Sequence, residues 1–315
     1  MQIAVLIPCH DEAATVGSVI RDFRAALPEA VIYVYDNNSS DATAALAEEA
    51  GAVVRRETLQ GKGNVVRRMF GDIEADVYVL VDGDDTYHAA GVPEMVRMLV
   101  DDNLDMVTGK RESTDQAAYR PGHQLGNRVL TGLVARIFGT GVSDMLSGYR
   151  VMSRRFVKTF AAHSTGFEIE TELTVHALEM RMAMAEVPGP YKSRPEGSES
   201  KLNTYRDGVM ILRTIVNMVR DERPLLFFGS AAVVTLLLAI GLAGPVFIEY
   251  LETGLVPRFP TAILSTGLVL VAIIAFTAGL ILDSVVRGRR ELKRMHYLGM
   301  QRSRSRGAEV DCGER

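Results

Sequence analysis

The sequence has 315 residues, of which 47% are hydrophobic and 23% charged, and this composition excludes a disordered chain. The length suffices for one large domain and a smaller unit. The formal net charge of −4 gives no general attraction to nucleic acid, so an anionic partner would have to be bound by local clusters of basic residues.

Short apolar runs alternate with helical patterns through the first two thirds of the chain. The predicted strands are residues 3–7, 31–35, 52–54, 77–81 and 106–108, and residues 13–27 and 42–50 between them are typical of helices. This alternation predicts an α/β domain with a mostly parallel sheet. Because ligands of such sheets gather at the carboxyl ends of the strands, we expect functional residues directly after each strand.

No positively charged leader precedes the first strand, so we expect the N-terminal domain to stay in the cytosol. The two cysteines, Cys9 and Cys312, form neither a disulfide framework nor a metal-ligand motif. Both are expected to be reduced thiols.

Carboxylates follow the first two predicted strands. Pro8 is expected to end the first strand, and Asp11 and Glu12 then lie where a nucleotide's base or ribose could be bound. The alternative is that these two carboxylates only complement the dipole of the next helix. After the second strand, Asp36 can accept hydrogen bonds from ribose hydroxyls or a base, whereas Asp41 is expected mainly to cap a helix.

The third helix is predicted to open on Gly61-Lys62-Gly63-Asn64. The glycines would allow the backbone to approach a ligand closely, and Lys62 at a helix N-terminus would complement a phosphate. The run is not a Walker loop and lacks the third glycine of the dinucleotide fingerprint. By itself it does not decide what is bound.

The strongest signal is residues 77–87, Val-Tyr-Val-Leu-Val-Asp-Gly-Asp-Asp-Thr-Tyr. Three carboxylates at the end of an apolar strand, Asp82, Asp84 and Asp85, are costly unless a cation offsets their charge. Hard oxygen ligands, completed by water and substrate phosphates, suit Mg²⁺ or Mn²⁺. The run lacks the glycine and glutamate that an EF-hand requires at its sixth and twelfth positions. We therefore predict a divalent metal at Asp82 and Asp84.

Two uncharged segments follow the predicted α/β domain. Residues 224–248 would run about 37 Å as a helix, enough to cross a bilayer, and residues 261–282 form a second such segment. Lys and Arg flank the pair on both sides, while the connecting loop carries only Arg258, so both chain ends are expected on the cytosolic side. The alternative is a buried helical hairpin in a soluble core.

The predicted organisation therefore has four parts. Residues 1–204 form the catalytic domain, residues 205–223 a juxtamembrane amphipathic helix, residues 224–286 the transmembrane hairpin, and residues 287–315 a basic, partly disordered cytosolic tail. For residues 205–223, an ordinary domain-packing helix is the alternative.

Taken together, these motifs resemble glycosyltransferase family 2, and within it the dolichyl- or polyprenyl-phosphate hexose synthases. The resemblance rests on Ile7-Pro8 with Asp11-Glu12, residues 36–41, Gly61-Lys62-Gly63, residues 82–86, residues 143–150 and the hairpin. It implies a GT-A fold, the Rossmann-like fold of nucleotide-diphospho-sugar transferases. Cys9-His10-Asp11 departs from the tyrosine or asparagine that the family often shows before the glutamate, which leaves GDP and UDP both open.

The resemblance also implies roles for single residues. Pro8, Glu12 and Asp36 would lie near the nucleotide, Asp82 and Asp84 would hold the metal and the diphosphate, and Thr86 would face the metal. The implied reaction moves a hexose from GDP- or UDP-hexose to a polyprenyl phosphate with inversion, in a multi-pass protein of the cytoplasmic membrane whose catalytic domain is cytosolic. Lys62 could assist the metal in stabilising the leaving diphosphate.

The acceptor phosphate requires cations, because a phosphate monoester is already anionic at neutral pH. The candidates for this part of the site are Lys110, Arg111, Arg128 on a predicted helix at residues 121–138, and Ser147 and Arg150 of the Ser-Gly-Tyr-Arg run. Each of these cations could instead be a surface charge, and Arg128 taken singly is better explained in that way. Asp144 would either orient one of these arginines or act as a base.

Two other functions remain open at this level. A transferase of the same fold could act on a glycolipid or sugar hydroxyl, and would then need a general base such as Asp144. A non-catalytic membrane scaffold could retain a degenerate transferase domain.

Overall fold

The computed structural model describes residues 1–112, residues 143–192 apart from 163 and 167, residues 219–300, and residues 132, 212, 213, 216 and 217. Arg128 with most of its predicted helix, most of the predicted juxtamembrane helix and residues 301–315 lie outside the described residues. Met1–Leu212 with Arg294–Arg315 form one compact unit, and Arg213–Lys293 form a second.

The first unit is built on a seven-stranded sheet. Its strands are β1 (Ile3–Cys9), β2 (Val31–Asp36), β3 (Val53–Arg56), β4 (Val77–Leu80), β5 (Met106–Glu112), β6 (Arg150–Ser153) and β7 (Met184–Pro190). Their order across the sheet is β3-β2-β1-β4-β6-β5-β7, with β6 antiparallel to both neighbours and the other strands parallel. The predicted mostly parallel sheet is confirmed, and all five predicted strands are present.

Strands β6 and β7 were not predicted. β6 is only 4 residues long, and β7 reads Met-Ala-Glu-Val-Pro-Gly-Pro, a composition depleted in strands. Pro188 and Pro190 are tolerated because β7 lies at the edge of the sheet, where backbone N–H groups need no ladder partner.

Helices cover both faces of this sheet. They are α1 (Val16–Ala26), α2 (Thr43–Glu49), α3 (Lys62–Asp72), α4 (Val92–Asp101), α5 (Arg154–Thr159) and α6 (Ile169–Glu179). α1, α2 and α4 bury apolar side chains against one face, and α3, α5 and α6 against the other. In α1 the buried residues are Val16, Val19, Ile20 and Phe23, the spacing of a one-sided apolar stripe.

The first strand continues through Pro8, which was expected to end it. Pro8 pairs in register with Tyr35 and Cys9 with Asp36, whereas the pairing with β4 stops at Leu6. The Cys9 carbonyl faces β2, where it accepts from Asn37, so the alternation along β1 directs position 8 towards β4. The missing N–H of Pro8 therefore falls beyond the last β4 pair and removes no ladder hydrogen bond.

The second unit consists of two long apolar helices, α7 (Pro224–Thr253) and α8 (Phe259–Gly299), the latter ending in the first unit. Each has a window of mean hydropathy 2.5 and is long and apolar enough to cross a membrane by length and composition. Apart from Pro224 at the start of α7, their buried residues recur at intervals of seven: Ala232, Ala239 and Val246 on α7, and Ser265, Ala272, Gly279 and Val286 on α8. This is the spacing of helices that pack side by side.

Both helices are longer than the uncharged segments that predicted them. Gly254, with φ 69°, ends α7 in the left-handed conformation. α8 continues through the basic residues expected in the tail as far as Gly299, since Arg, Lys, Glu and Leu are strong helix formers and Arg287 pairs with Asp283 one turn earlier.

Candidate active site

The candidate site lies along one edge of the sheet. Strands β1, β2, β4 and β5 run parallel, so their carboxyl ends lie at the same edge. Because β6 runs in the opposite direction, the turn that precedes it, residues 143–149, reaches that edge as well. Most predicted site residues lie at these strand ends, directly after them or in this turn.

Asp11 joins the loops after β1 and β2. Its Oδ1 accepts from the Ser40 amide at 2.6 Å and the Ser40 hydroxyl at 3.1 Å, and its own amide donates to Ser39 Oγ at 3.0 Å. The Glu12 amide donates to the Thr43 hydroxyl at 2.8 Å. These bonds fix two loops that are expected to lie beside a nucleotide, and direct nucleotide contact by Asp11 and Glu12 stays a prediction.

Residues at the end of β2 order the loop that leads to Lys62. Asp36 is 5% exposed, and its Oδ1 accepts from the amide three residues further on at 3.2 Å. The Asn37 side chain donates to the carbonyls of Glu57 and Leu59 at 2.9 and 2.8 Å and accepts from the Gly61 amide at 2.7 Å. Asn37 thus anchors the start of α3, a role that the sequence analysis did not assign.

The two glycines flanking Lys62 were expected to allow a ligand to approach the backbone. In the structure they allow close contact with residues 164–165 instead. The Gly63 amide donates to the Thr165 carbonyl at 3.0 Å. A Cβ on Gly61 would lie 2.2 Å from the Thr165 carbonyl oxygen, and one on Gly63 would lie 2.2 Å from the Ser164 oxygen. Gly61 also has φ 123°, which side chains rarely allow. The glycines therefore dock the segment leading into α6 onto the start of α3.

Lys62 bridges two carboxylates. Its Nζ lies 2.5 Å from Asp82 Oδ1 and also forms an ion pair with Glu170 Oε1. Burial alone lowers the pKa of Lys62, but Asp82 and Glu170 outweigh it and raise the pKa above its ordinary value. Burial raises the pKa of Glu170, against the lowering effect of Lys62. Lys62 is therefore a buried, persistent cation at the predicted metal site.

The three carboxylates of the loop after β4 have different surroundings. Asp84 Oδ1 accepts from the Thr86 hydroxyl at 2.6 Å and the Thr86 amide at 3.2 Å. Asp85, with φ 56°, pairs with Lys192 Nζ at 3.0 Å, and the Lys192 amide donates to the Thr86 carbonyl at 2.9 Å. Asp85 thus fastens the loop to the end of β7, whereas Asp82 and Asp84 remain candidate metal ligands. Thr86 supports Asp84, and direct ligation by Thr86 stays a prediction.

Asp82 and Asp84 suit a hard divalent cation that is only partly bound by protein. Among the described residues, no group of three or more His, Cys, Asp or Glu side chains is arranged to hold a metal ion. An ion held by these two carboxylates would complete its shell with water and substrate phosphates, as Mg²⁺ commonly does. The negative charge also fits, since Asp82 and Glu170 share the single ammonium of Lys62 and Asp84 adds another carboxylate.

Arg111 and Asp144 form a forked ion pair further along the edge. Arg111 Nε and Nη2 each lie 2.7 Å from a different oxygen of Asp144, and the two side chains are 16% and 7% exposed. Burial alone lowers the pKa of Arg111, but Tyr87 and Asp144 raise it well above its ordinary value. The guanidinium also lies 5.7 Å from the ring centroid of Tyr191. Of the roles left open for Asp144, the geometry supports the one that orients an arginine.

Glu186 of β7 holds the turn that carries Asp144. Its carboxylate accepts from the Ser143 amide and the Ser143 hydroxyl, each at 2.6 Å, and from the Asp144 amide at 3.2 Å. Glu186 was missed because β7 was not predicted.

Ser147 and Arg150 were expected at the substrate but lie in the core, both 0% exposed. Ser147 Oγ donates to the Gly109 carbonyl at 2.6 Å. Arg150 donates to the carbonyls of Ser147, Met145 and Glu170 at 3.1, 2.8 and 2.9 Å, and burial lowers its pKa to about 10. A buried guanidinium must satisfy its donors within the protein, so Arg150 braces the turn from inside.

Lys110 precedes Arg111 in β5. It is half-buried and lines a cavity of about 190 Å³ with Tyr87 and Tyr149. A contact between Lys110 and a phosphate stays a prediction.

Comparisons with known proteins bear on the whole chain. Residues 4–160 match the model of Glycosyl transferase family 2. Glycosyltransferase AglJ of Haloferax volcanii is 33% identical over 94% of this chain and 98% of its own length. A dolichyl-phosphate hexose transferase of the same organism is 28% identical over 70% of this chain and 95% of its own length.

A solved structure shows the same fold. Glucosyl-3-phosphoglycerate synthase from Mycobacterium tuberculosis, in complex with Mn²⁺, UDP and glucosyl-3-phosphoglycerate, superposes with a TM-score of 0.57 at 23% identity, covering 69% of this chain and 78% of that chain. At this identity the likeness establishes the fold and not the substrate.

Proposed function

This chain belongs to glycosyl transferase family 2 and is a glycosyltransferase of GT-A fold, and we propose that it transfers a hexose from a nucleotide-sugar to a polyprenyl phosphate at the cytosolic face of a membrane. Two relatives support parts of this proposal by their names: one is a dolichyl-phosphate hexose transferase, and the other was crystallised with Mn²⁺ and UDP. The long apolar helices α7 and α8 would anchor the catalytic domain beside a lipid acceptor.

The donor is proposed to bind across the ends of β1, β2 and β4. The base and ribose would lie near the loops of Pro8, Glu12 and Asp36, and the diphosphate near Asp82 and Asp84. Mg²⁺ or Mn²⁺, held by these two aspartates, would neutralise charge that develops on the departing nucleoside diphosphate. The Lys62 ammonium is fixed beside Asp82 and adds a second positive charge there.

The observation that carries the acceptor assignment is the Arg111–Asp144 pair. A hydroxyl acceptor needs a carboxylate that is available to take a proton, but both oxygens of Asp144 accept from Arg111. A phosphate acceptor needs a fixed cation instead, and the remaining N–H groups of a guanidinium held in this way match phosphate oxygens.

The proposed step needs no proton transfer. A phosphate oxygen of the acceptor attacks the anomeric carbon, the bond from that carbon to the diphosphate breaks, and the electron pair leaves with the nucleoside diphosphate. The second pKa of a phosphate monoester is about 6, so the nucleophile is already ionised at neutral pH. A direct displacement inverts the anomeric centre, so an α-linked donor gives a β-linked lipid product.

The test is a product assay with the full chain in lipid nanodiscs. GDP- and UDP-hexoses are each incubated with Mg²⁺ or Mn²⁺ and either a polyprenyl phosphate or the corresponding polyprenol, and lipids are identified by mass spectrometry. We expect a hexosyl-phosphoryl-polyprenol from the phosphate and none from the alcohol. A product formed on the alcohol or on an added glycolipid, with none on the phosphate, would replace the proposed acceptor by a hydroxyl.

A glycine of the Ser-Gly-Tyr run gives a prediction about the position of Asp82. A Cβ on Gly148 would lie 2.3 Å from Asp82 Oδ2, so Gly148→Ala must displace that carboxylate. Displacement of a catalytic group by about 1 Å costs on the order of 10²-fold in rate, and we expect this loss in kcat with little change in melting temperature. Gly71→Ala is the control, since nothing lies within 4 Å of its Cβ position. Equal rates for the two variants would contradict the prediction.

A further inference from the structure

The ion pair between Lys62 and Glu170 has no part in the transfer step as proposed. Glu170 lies in the first turn of α6, its side chain is 7% exposed, and its carboxylate pairs with Lys62. Asp82, which also pairs with Lys62, is a proposed metal ligand with a side chain that is 28% exposed. One buried cation is thus shared between a proposed metal ligand and a buried carboxylate of α6.

We infer that Glu170 is a positioning residue that retains Lys62 when Asp82 binds the metal ion. A carboxylate oxygen that coordinates a divalent cation is a poorer partner for an ammonium, and a buried ammonium without a partner is costly. Glu170 provides that partner. Asp82 can therefore coordinate the metal ion, while Lys62 keeps its ion pair with Glu170 and stays in position to contact the diphosphate. This inference rests on the proposed metal-dependent transfer.

The position of Glu170 is fixed independently of Lys62. Its backbone carbonyl accepts from Arg150 Nη2 at 2.9 Å and from the Thr174 hydroxyl at 3.0 Å. The segment before it is docked on the start of α3 through the Gly63 amide and the Thr165 carbonyl at 3.0 Å. The backbone that carries the carboxylate is therefore held in place near the start of α3 by contacts that do not involve Lys62, as the retaining role requires.

Glu172 provides a matched control on the same helix. Like Glu170, Glu172 is a buried glutamate in the first turn of α6, and it is 7% exposed. Its Oε2, however, accepts from the Ser164 amide at 2.9 Å. Glu172→Gln removes a buried negative charge from the same helical turn and leaves the Glu170 carboxylate paired with Lys62.

The experiment measures Mn²⁺ binding by electron paramagnetic resonance with the full chain in nanodiscs, without nucleotide. We expect Glu170→Gln to weaken Mn²⁺ binding by on the order of tenfold, the effect of one lost charge-assisted hydrogen bond, and Glu172→Gln to stay within about twofold of the unmodified protein. Lys62→Met should instead bind Mn²⁺ more tightly, because Asp82 then has no competing ammonium.

A double variant tests whether Glu170 acts through Lys62. In the Lys62→Met background, Glu170→Gln should change Mn²⁺ affinity by no more than about twofold. Calorimetric titration with GDP and UDP in the presence of Mn²⁺ adds a second measurement: Lys62→Met should weaken binding of the nucleotide while tightening binding of the metal. General damage to the fold would weaken both.

Three results would overturn the inference, and they separate it from the proposed function. If the unmodified protein binds Mn²⁺ and transfers the sugar, but Glu170→Gln behaves like Glu172→Gln, only the role of Glu170 is wrong. If Glu170→Gln weakens Mn²⁺ binding equally without Lys62, Glu170 acts on the metal by another route. If the unmodified protein binds no Mn²⁺, the metal site and this inference fail together.

Discussion

Asp82→Asn is expected to lower hexose transfer by on the order of 10³-fold, since a bound metal ion contributes several kcal/mol of charge stabilisation in the transition state. Asp84→Asn should have a similar effect, and chelation of divalent ions should abolish transfer by the unmodified protein. For the variants, kcat is measured with radiolabelled nucleotide-sugar at saturating Mg²⁺ or Mn²⁺. For the unmodified protein, transfer is measured after chelation and again after the metal is added back.

Asp85→Asn is the matched control for this loop. Asp85 belongs to the same three-carboxylate run, but its Oδ1 pairs with Lys192 and its Oδ2 accepts from Ser18 at 3.4 Å. We expect Asp85→Asn to lower the melting temperature, because these contacts are weakened, and to lower kcat much less than Asp82→Asn does. Full transfer by Asp82→Asn, or transfer that persists in chelator, would show that the reaction does not depend on a metal at this loop.

Arg111→Ala should be the most damaging change at the acceptor end. It removes the proposed phosphate ligand and leaves Asp144, whose side chain is 7% exposed, without its forked partner. Breaking a buried ion pair on one side costs about 3–5 kcal/mol of stability, and loss of a charged contact to the acceptor should lower kcat/KM by on the order of 10²- to 10³-fold. Thermal unfolding and acceptor titrations measure the two effects separately.

Asp144→Asn distinguishes an orienting carboxylate from a general base. If Asp144 only orients Arg111, the variant should raise the acceptor KM and retain measurable kcat, because the ionised phosphate needs no base. If Asp144 takes a proton from a hydroxyl acceptor, kcat should collapse at unchanged acceptor KM. The second pattern would contradict the phosphate assignment.

Much of the site follows from local sequence. Asp82-Gly83-Asp84 directly follows a buried strand, and its carboxylates therefore lie at the sheet edge where the carboxyl ends of the parallel strands meet. The alternation of five apolar runs with helical patterns likewise predicts the mostly parallel sheet. Two uncharged segments of more than 20 residues predict two long apolar helices.

The later residues show where local patterns fail. Ser147 and Arg150 are polar residues in a glycine-containing run, which is typical of a binding loop, yet β6 returns antiparallel into the sheet and buries both. The glycines around Lys62 are also typical of a phosphate loop, but the segment at residues 164–165 lies against them. In both cases contacts with a segment distant in sequence stand where contacts with a ligand were expected.

By itself, the sequence determined the fold class, the family, the acidic loop after β4 and the two apolar helices. These are encoded in hydrophobic period, charge and spacing over short windows. Only the tertiary structure decided which charged side chains form contacts. Lys62 pairs with Asp82 and Glu170, Arg111 pairs with Asp144, and Glu186 accepts hydrogen bonds from the turn before β6. The physical reason is that an ion pair depends on a distance of a few ångströms between side chains, and for residues about 20 to 110 positions apart that distance is set by strand order and helix packing.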